Sequence, residues 1–171
     1  MPVIDENRSW HVNYRSRRYS IARALQRCGC CGQLTPVVAV VLPPGHETLA
    51  FDEDADEESA AADVWEIAEV SALLFFIEYF PEAVQGRLQG VSQHYQLGHA
   101  EAGPLYWTNQ CSFCGAEQDD FELFCEPEGA FSPISEEAAA LIRLHEVLEP
   151  FEAEAGGYAD APELFDPARR K

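Results

Sequence analysis

Two short segments far apart in the chain share one pattern. Cys28-Gly29-Cys30-Cys31-Gly32 and Cys111-Ser112-Phe113-Cys114-Gly115 are both C-x-x-C-G. A turn of this kind aims two thiolates at one point. The glycine after the second cysteine permits a left-handed backbone, and amides within the turn can hydrogen-bond to the sulfurs. Two such knuckles supply four thiolates, the tetrahedral set that suits Zn²⁺ at ~2.3 Å. For the pairs to share one ion they must meet in space, although 79 residues lie between Cys31 and Cys111. Four thiolates leave no open coordination position, so one Zn²⁺ held by Cys28, Cys31, Cys111 and Cys114 is expected to be structural. Such an ion can contribute on the order of 10 kcal/mol to folding. Thiolates alone do not separate zinc from iron; a purely structural role favours zinc.

Two cysteines are left over. Cys30 could compete with Cys28 or Cys31 only through a C-x-C turn of a different shape. Cys125 reads as a small buried hydrophobe. A thioredoxin-like C-x-x-C would open a helix in a βαβ unit, and neither pair does so.

These ligands predict an α+β single domain. Residues 20–45 and 104–133 form the halves of a four-cysteine zinc ribbon, with a strand after each knuckle. A long, mostly helical insertion over 46–103 separates them. Ser20 to Gln26 reads as a strand entering the first knuckle. Thr35 to Leu42, TPVVAVVL, is a β-branched run whose continuous apolarity predicts burial on both faces. Leu105 to Thr108 and Phe121 to Cys125 read as strands flanking the second knuckle. Within the insertion, Ser59 caps a helix to about Phe80, with Val64, Ile67, Ser71, Leu74 and Ile77 on one face. Pro81 ends it or begins a second helix through Leu88 and Val91. Gly98 to Gly103 reads as a turn region. Residues 134–150 predict a packing helix, capped by Ser135 and carrying Leu141, Leu144, His145 and Leu148 at helical spacing. Residues 1–19 read as an Arg-rich arm and 151–171 as a loose acidic tail.

Charge narrows the partners. The net charge is −19, and residues 1–27 hold six of the ten arginines, leaving −23 on the rest. A surface this acidic opposes binding to nucleic acid phosphates and to anionic membranes. No run reaches the ~20 apolar residues of a membrane span. No secretory signal is evident, so the cysteines are expected in a reducing cytoplasm, where ligands or free thiols are the rule. Ten arginines against a single lysine fit a GC-rich bacterial genome. The run Asp52, Glu53, Asp54, Asp56, Glu57 and Glu58 lacks the ligand spacing of an EF-hand. It is either a solvated loop or an electrostatic patch for a basic partner.

The chemistry otherwise expected of an enzyme is missing. No P-loop, G-x-G-x-x-G, G-x-S-x-G or H-E-x-x-H is present. His94, His99 and Glu101 are not at the i, i+4 spacing of a helical metal pair, and His145 reads as a core histidine.

The residues around the knuckles carry a resemblance. They run Tyr106-Trp107-Thr108-Asn109-Gln110-Cys111-x-x-Cys114-Gly115-Ala116-x-Gln118-x-Asp120-Phe121, then Glu126-Pro127-x-Gly129-Ala130-Phe131-x-Pro133. With Cys28-x-x-Cys31-Gly32-Gln33-x-Thr35-Pro36-Val37-Val38, this resembles a group of bacterial zinc-ribbon proteins. Their knuckles read C-W-x-C-G and A-N-x-C-x-x-C-G-x-x-Q-G-D. The match covers about a third of the chain and implies the same four ligands. The chain departs from the pattern at Gly29 (Trp in the group), Asp119 (Gly) and Phe124 (His).

Small size, acidity and a zinc-stapled surface predict a protein-binding module, not an enzyme. An immunity- or antitoxin-type inhibitor that covers a basic toxin such as a nuclease fits that description. The alternative is a zinc-ribbon accessory protein of transcription or nucleic-acid metabolism, acting through the N-terminal arginines.

Overall fold

A computed structural model describes residues 9–50, 64–98 and 105–160. Its elements run β1 Tyr14–Ser16, β2 Tyr19–Arg27, β3 Leu34–Leu42, β4 Glu47–Leu49, β5 Trp65–Ile67, β6 Ala72–Tyr79 and α1 Glu82–Val91. They continue with β7 Tyr95–Leu97, β8 Trp107–Gln110, β9 Glu117–Gln118, α2 Asp120–Phe124, α3 Glu136–Ala140, β10 Arg143–Val147 and β11 Phe151–Asp160. The strands form one curled antiparallel sheet in the order β10-β2-β3-β6-β11-β1-β4-β5, with β8 joined to β6 and carrying β7 and β9.

β3 shows why this sheet holds. Its residues alternate between two cores, one on each face. Val38, Val40 and Leu42 join Tyr19 and Ile21 of β2 on one side. Val37, Ala39 and Val41 join Ala22 on the other, under Leu123, Phe124, Phe131 and Ile142. A strand buried on both faces needs the continuous apolar run that the sequence carries.

The sheet overturns the expected α+β ribbon with a helical insertion. Within 46–103, the described residues form β4, β5, β6, α1 and β7, and only Glu82–Val91 is an α-helix. The expected helix from Ser59 to Phe80 is instead β5 and β6 where it is described; Ser59 to Asp63 lie outside the described residues. Its helical spacing has another origin. Phe76 has φ +51°, a break in the strand that rotates the following residue. Leu74 and Ile77, three apart, therefore face the same core, while Leu73 faces the other. A kinked strand imitates the period of a helix. The second helix, after Pro81, is present as α1, with Val84 and Leu88 buried.

Four further expectations fail for identifiable reasons. The packing helix over 134–150 is the five-residue α3 followed by strand β10. Ser135 does cap α3, its hydroxyl accepting the Ala138 N–H at 3.1 Å. The chain then pairs with the outer edge of β2 from Arg143 to Val147, which leaves Leu141, His145 and Leu148 exposed. Pairing with an existing strand outweighs local helix preference. The strand expected over Phe121 to Cys125 is helix α2, begun by the Asp119 carboxylate, which accepts the Phe121 N–H at 2.8 Å.

The loose acidic tail is, from Phe151 to Asp160, strand β11, seated between β6 and β1. Small residues make that seat. A Cβ on Gly157 would overlap the Phe75 ring. Asn13 bridges the irregularity between Glu154 and Ala155. Its amide donates to Ala155 O and accepts the Ala155 N–H, each at 2.9 Å. The arm over 1–19 is likewise part of the sheet from Tyr14 to Ser16. Residues 1–8 lie outside the described residues.

Candidate metal centre

Each knuckle is the turn of an antiparallel hairpin. Cys28 to Gly32 joins β2 to β3, and Cys111 to Gly115 joins β8 to β9. The two turns are near copies. Gly32 N–H donates to Cys28 O and Gly115 N–H to Cys111 O, both at 2.9 Å. Cys28 N–H donates to Gln33 O and Cys111 N–H to Ala116 O, both at 2.8 Å. Both glycines have positive φ, +75° and +79°, the conformation that places the second cysteine back over the first. In each turn a backbone N–H two residues on donates to the first sulfur at 3.4 Å, from Cys30 to Cys28 Sγ and from Phe113 to Cys111 Sγ.

Three polar residues bring the hairpins together. The Asn109 side chain accepts the Val38 N–H at 2.8 Å and donates to Val38 O at 3.0 Å, acting as a strand peptide between β8 and β3. Thr35 Oγ1 accepts the Ser112 N–H at 3.0 Å. Gln118 Nε2 donates to Ala116 O and reaches Cys28 Sγ at 3.5 Å. All three side chains are buried, so each hydrogen bond replaces one that water can no longer supply. Only Thr35 leaves a signal in the sequence, as a polar residue at the start of the apolar run of β3; Asn109 and Gln118 sit in β8 and β9, whose residues are mostly polar.

The four sulfurs converge as the spacing predicts. Cys28 Sγ lies 3.7 Å from Cys114 Sγ, and Cys31 Sγ lies 3.7 Å from Cys111 Sγ. All four lie within 4.8 Å of one another. A disulfide needs about 2.05 Å. A tetrahedron of four sulfurs with metal–sulfur bonds of ~2.3 Å has edges of ~3.8 Å. The cluster therefore has the dimensions of a mononuclear tetrathiolate site, and it can hold a metal ion.

Electrostatics divide the four into two kinds. Cys28 falls to about 6, pulled down by hydrogen bonds from the backbone at Cys31 and Cys30 and by the Gln118 amide. Cys111 is lowered by the backbone at Cys114 and Phe113. Cys114 is pushed up to about 12: the Ala116 backbone lowers it, but desolvation and the neighbouring sulfurs outweigh that. Cys31 is raised in the same way against the pull of the Gln33 backbone. Four crowded sulfurs cannot all carry charge alone, whereas a divalent cation at their centre stabilises all four thiolates. Cys28 and Cys111 are buried; Cys31 and Cys114 are exposed, so one edge of the site meets solvent.

The other candidates do not join this site. Cys30 is exposed, outside the four-sulfur group. Cys125, expected to be buried, is exposed as well. It caps the C-terminus of α2, whose turn points it outward. His94 is exposed, while His99 and Glu101 lie outside the described residues. The acidic run from Asp52 to Glu58, including Glu53, Asp54, Asp56 and Glu57, also lies outside them. No helix among the described residues is long and apolar enough to cross a membrane. Comparison with known proteins returns no matching family model, no similar curated protein and no similar solved structure.

Proposed function

We propose that this chain is a zinc-stabilised protein-binding module that performs no catalysis, and that its acidic exterior docks a basic partner. The observation that carries the metal half is the group of four cysteine sulfurs within 4.8 Å. All four positions of a tetrahedral ion are taken by protein sulfur. Zn²⁺ there has no vacancy for substrate and serves as a staple between two hairpins. Cys28, Cys31, Cys111 and Cys114 are the ligands in this reading.

The partner half rests on charge. A net −19 produces a strong single-signed field, which accelerates encounter with a cationic protein and repels anionic ones. Asp52, Glu53, Asp54, Asp56, Glu57 and Glu58 are the densest part of that charge. An immunity- or antitoxin-type inhibitor of a basic nuclease is the concrete form of this reading. Three of the six N-terminal arginines are held within the fold, which counts against the nucleic-acid alternative. Arg15 is tied to Glu47 at 2.7 Å and stacks 4.0 Å above the Trp65 ring. Arg18 pairs with Glu146, and Arg27 donates to Gly32 O.

Two measurements test the halves separately. Elemental analysis of the purified chain is expected to give one zinc per chain, lost with a chelator; a metal-free chain of unchanged stability overturns the staple. Affinity purification from the host at low and high salt is expected to retain a stoichiometric basic protein that leaves as salt rises. Recovery of nucleic acid or polymerase subunits instead overturns the acidic-module reading.

A further inference from the structure

β2 runs four residues past its neighbour. β10 begins at Arg143, opposite Arg23, whereas β2 continues to Arg27. Among the described residues no strand pairs with this outer edge beyond Arg23. The direction of its hydrogen-bonding groups follows from the knuckle. Cys28 turns its N–H to Gln33 O and its carbonyl to Gly32 N–H, both toward β3. The β2–β3 register is unbroken from Ser20 to Arg27. By the two-residue alternation of a strand, Leu25 and Arg27 turn their main-chain N–H and C=O groups outward.

A cavity of about 780 Å³ opens beside this edge, a size that accommodates a bound ligand. Its walls include Ala24, Leu25, Pro36, Ala130, Ile134 and Leu141. Leu25, Ile134 and Leu141 are 60%, 65% and 78% exposed, so three large apolar side chains stand in water around one cavity. Arg23 and Arg143 line it too. They are cross-strand partners of like charge, and neither has an ion pair among the described residues. Like charges placed opposite one another weaken a sheet, so this pair does not favour the pairing of β10 with β2.

We infer that the outer edge of β2 is a docking site for the C-terminus of another protein, which adds as an antiparallel strand and places its terminal carboxylate at Arg23 and Arg143. Strand polarity decides which end of the peptide meets the arginines. A strand antiparallel to β2 along Leu25–Arg27 runs in the direction of β10 and ends where β10 begins, at Arg143. Its main chain bonds to Leu25 and Arg27, and alternate side chains enter the cavity. The carboxylate receives charge-assisted hydrogen bonds from two guanidinium groups. This site is opposite in charge to the proposed acidic docking surface.

The probe is an array of random synthetic heptapeptides attached through their N-termini, presenting free C-terminal carboxylates to the full metal-loaded chain. The same array made as carboxamides is the control. Binders are expected on the acid array, apolar at alternate positions. In solution the best binder loses about tenfold or more in affinity on amidation. Arg23→Gln with Arg143→Gln produces the same loss while zinc content and thermal midpoint stay at their original values. N-methylation scanned along the peptide weakens binding at alternate amides only, a pattern that strand addition produces and simple pocket filling does not. The inference is overturned by an acid array with no binders, by equal affinity of acid and amide, by a double variant that binds unchanged, or by N-methyl effects without alternation.

Discussion

Asp120 should destabilise this protein at neutral pH, and replacing it should help. The residue opens α2 and is 3% exposed. Burial pushes its carboxyl up from 3.8 to about 7. The Phe76 N–H, donating to Oδ2 at 2.9 Å, acts in the opposite direction, and Asp119 adds to the rise. A carboxyl raised on folding binds more protons in the native than in the unfolded chain between these two values. Stability therefore falls as pH climbs from about 4 to about 7 and is level above that. Three pKa units correspond to about 4 kcal/mol. Asp120→Asn keeps an oxygen for the Phe76 N–H and carries no charge at any pH. It should match the original chain near pH 4 and exceed its stability by about 4 kcal/mol at pH 8, with about half of that change between pH 5.5 and 7.

The assay is urea unfolding of both chains, metal-loaded, in steps from pH 5.5 to 8.5. The difference between the two chains removes the pH dependence of metal binding, which they share. Asp120→Ala is the control: it removes the charge but also orphans the Phe76 N–H, at a cost of about 1–3 kcal/mol, so it should gain less than the asparagine variant. A difference between Asp120→Asn and the original that does not change with pH, or an asparagine variant less stable at pH 8, refutes the reasoning.

Other expectations concern the staple and the sheet. Cys111→Ser should lose stoichiometric zinc and several kcal/mol of stability, read by elemental analysis and by an unfolding midpoint lowered by roughly 2–4 °C per kcal/mol. Cys30→Ser and Cys125→Ser should keep one zinc per chain, since neither sulfur lies in the cluster. Asn109→Ala leaves the Val38 N–H and C=O without their side-chain partners. It should cost about 2–4 kcal/mol in urea unfolding, whereas a loss under about 0.5 kcal/mol would show that water substitutes for the amide. Gly157→Val should force the Phe75 ring from its place and lower the unfolding midpoint, while Gly86→Ala on α1, where a Cβ meets nothing within 4 Å, should be neutral or stabilising.

The knuckles were legible because their chemistry is local. Two sulfurs three residues apart and a glycine at positive φ form a unit that no distant contact needs to complete. β3 was legible for the same reason: TPVVAVVL fits a strand buried on both faces and little else. The misread segments are those whose structure is decided elsewhere in the chain. Leu74 and Ile77 share a core where Phe76 between them takes a positive φ, and Asp120, 44 positions away in sequence, accepts the Phe76 N–H. β11 is a strand because Asn13, 142 positions earlier, bridges its irregularity and because Gly157 makes room for Phe75. Neither requirement leaves a period in the local sequence.

The same distinction bears on the ion. Read from the sequence, the four thiolates carry the task of closing a 79-residue gap. In the fold that gap is already closed by β6 pairing with β3 and β8, and by the Asn109, Thr35 and Gln118 bonds between the hairpins. Two buried cores lie on the faces of the sheet, apart from the knuckle ends of its hairpins. Much of the ordering entropy that a zinc finger draws from its metal is met here by packing. A metal ion then meets a site assembled beforehand, and its effect concentrates on the ends of two hairpins instead of on the existence of the fold. A chain stripped of metal should accordingly retain its strand signal in circular dichroism while amide exchange quickens first around Cys28–Gly32 and Cys111–Gly115. Global unfolding on chelation would instead show that the crowded sulfurs, left without a cation, outweigh both cores.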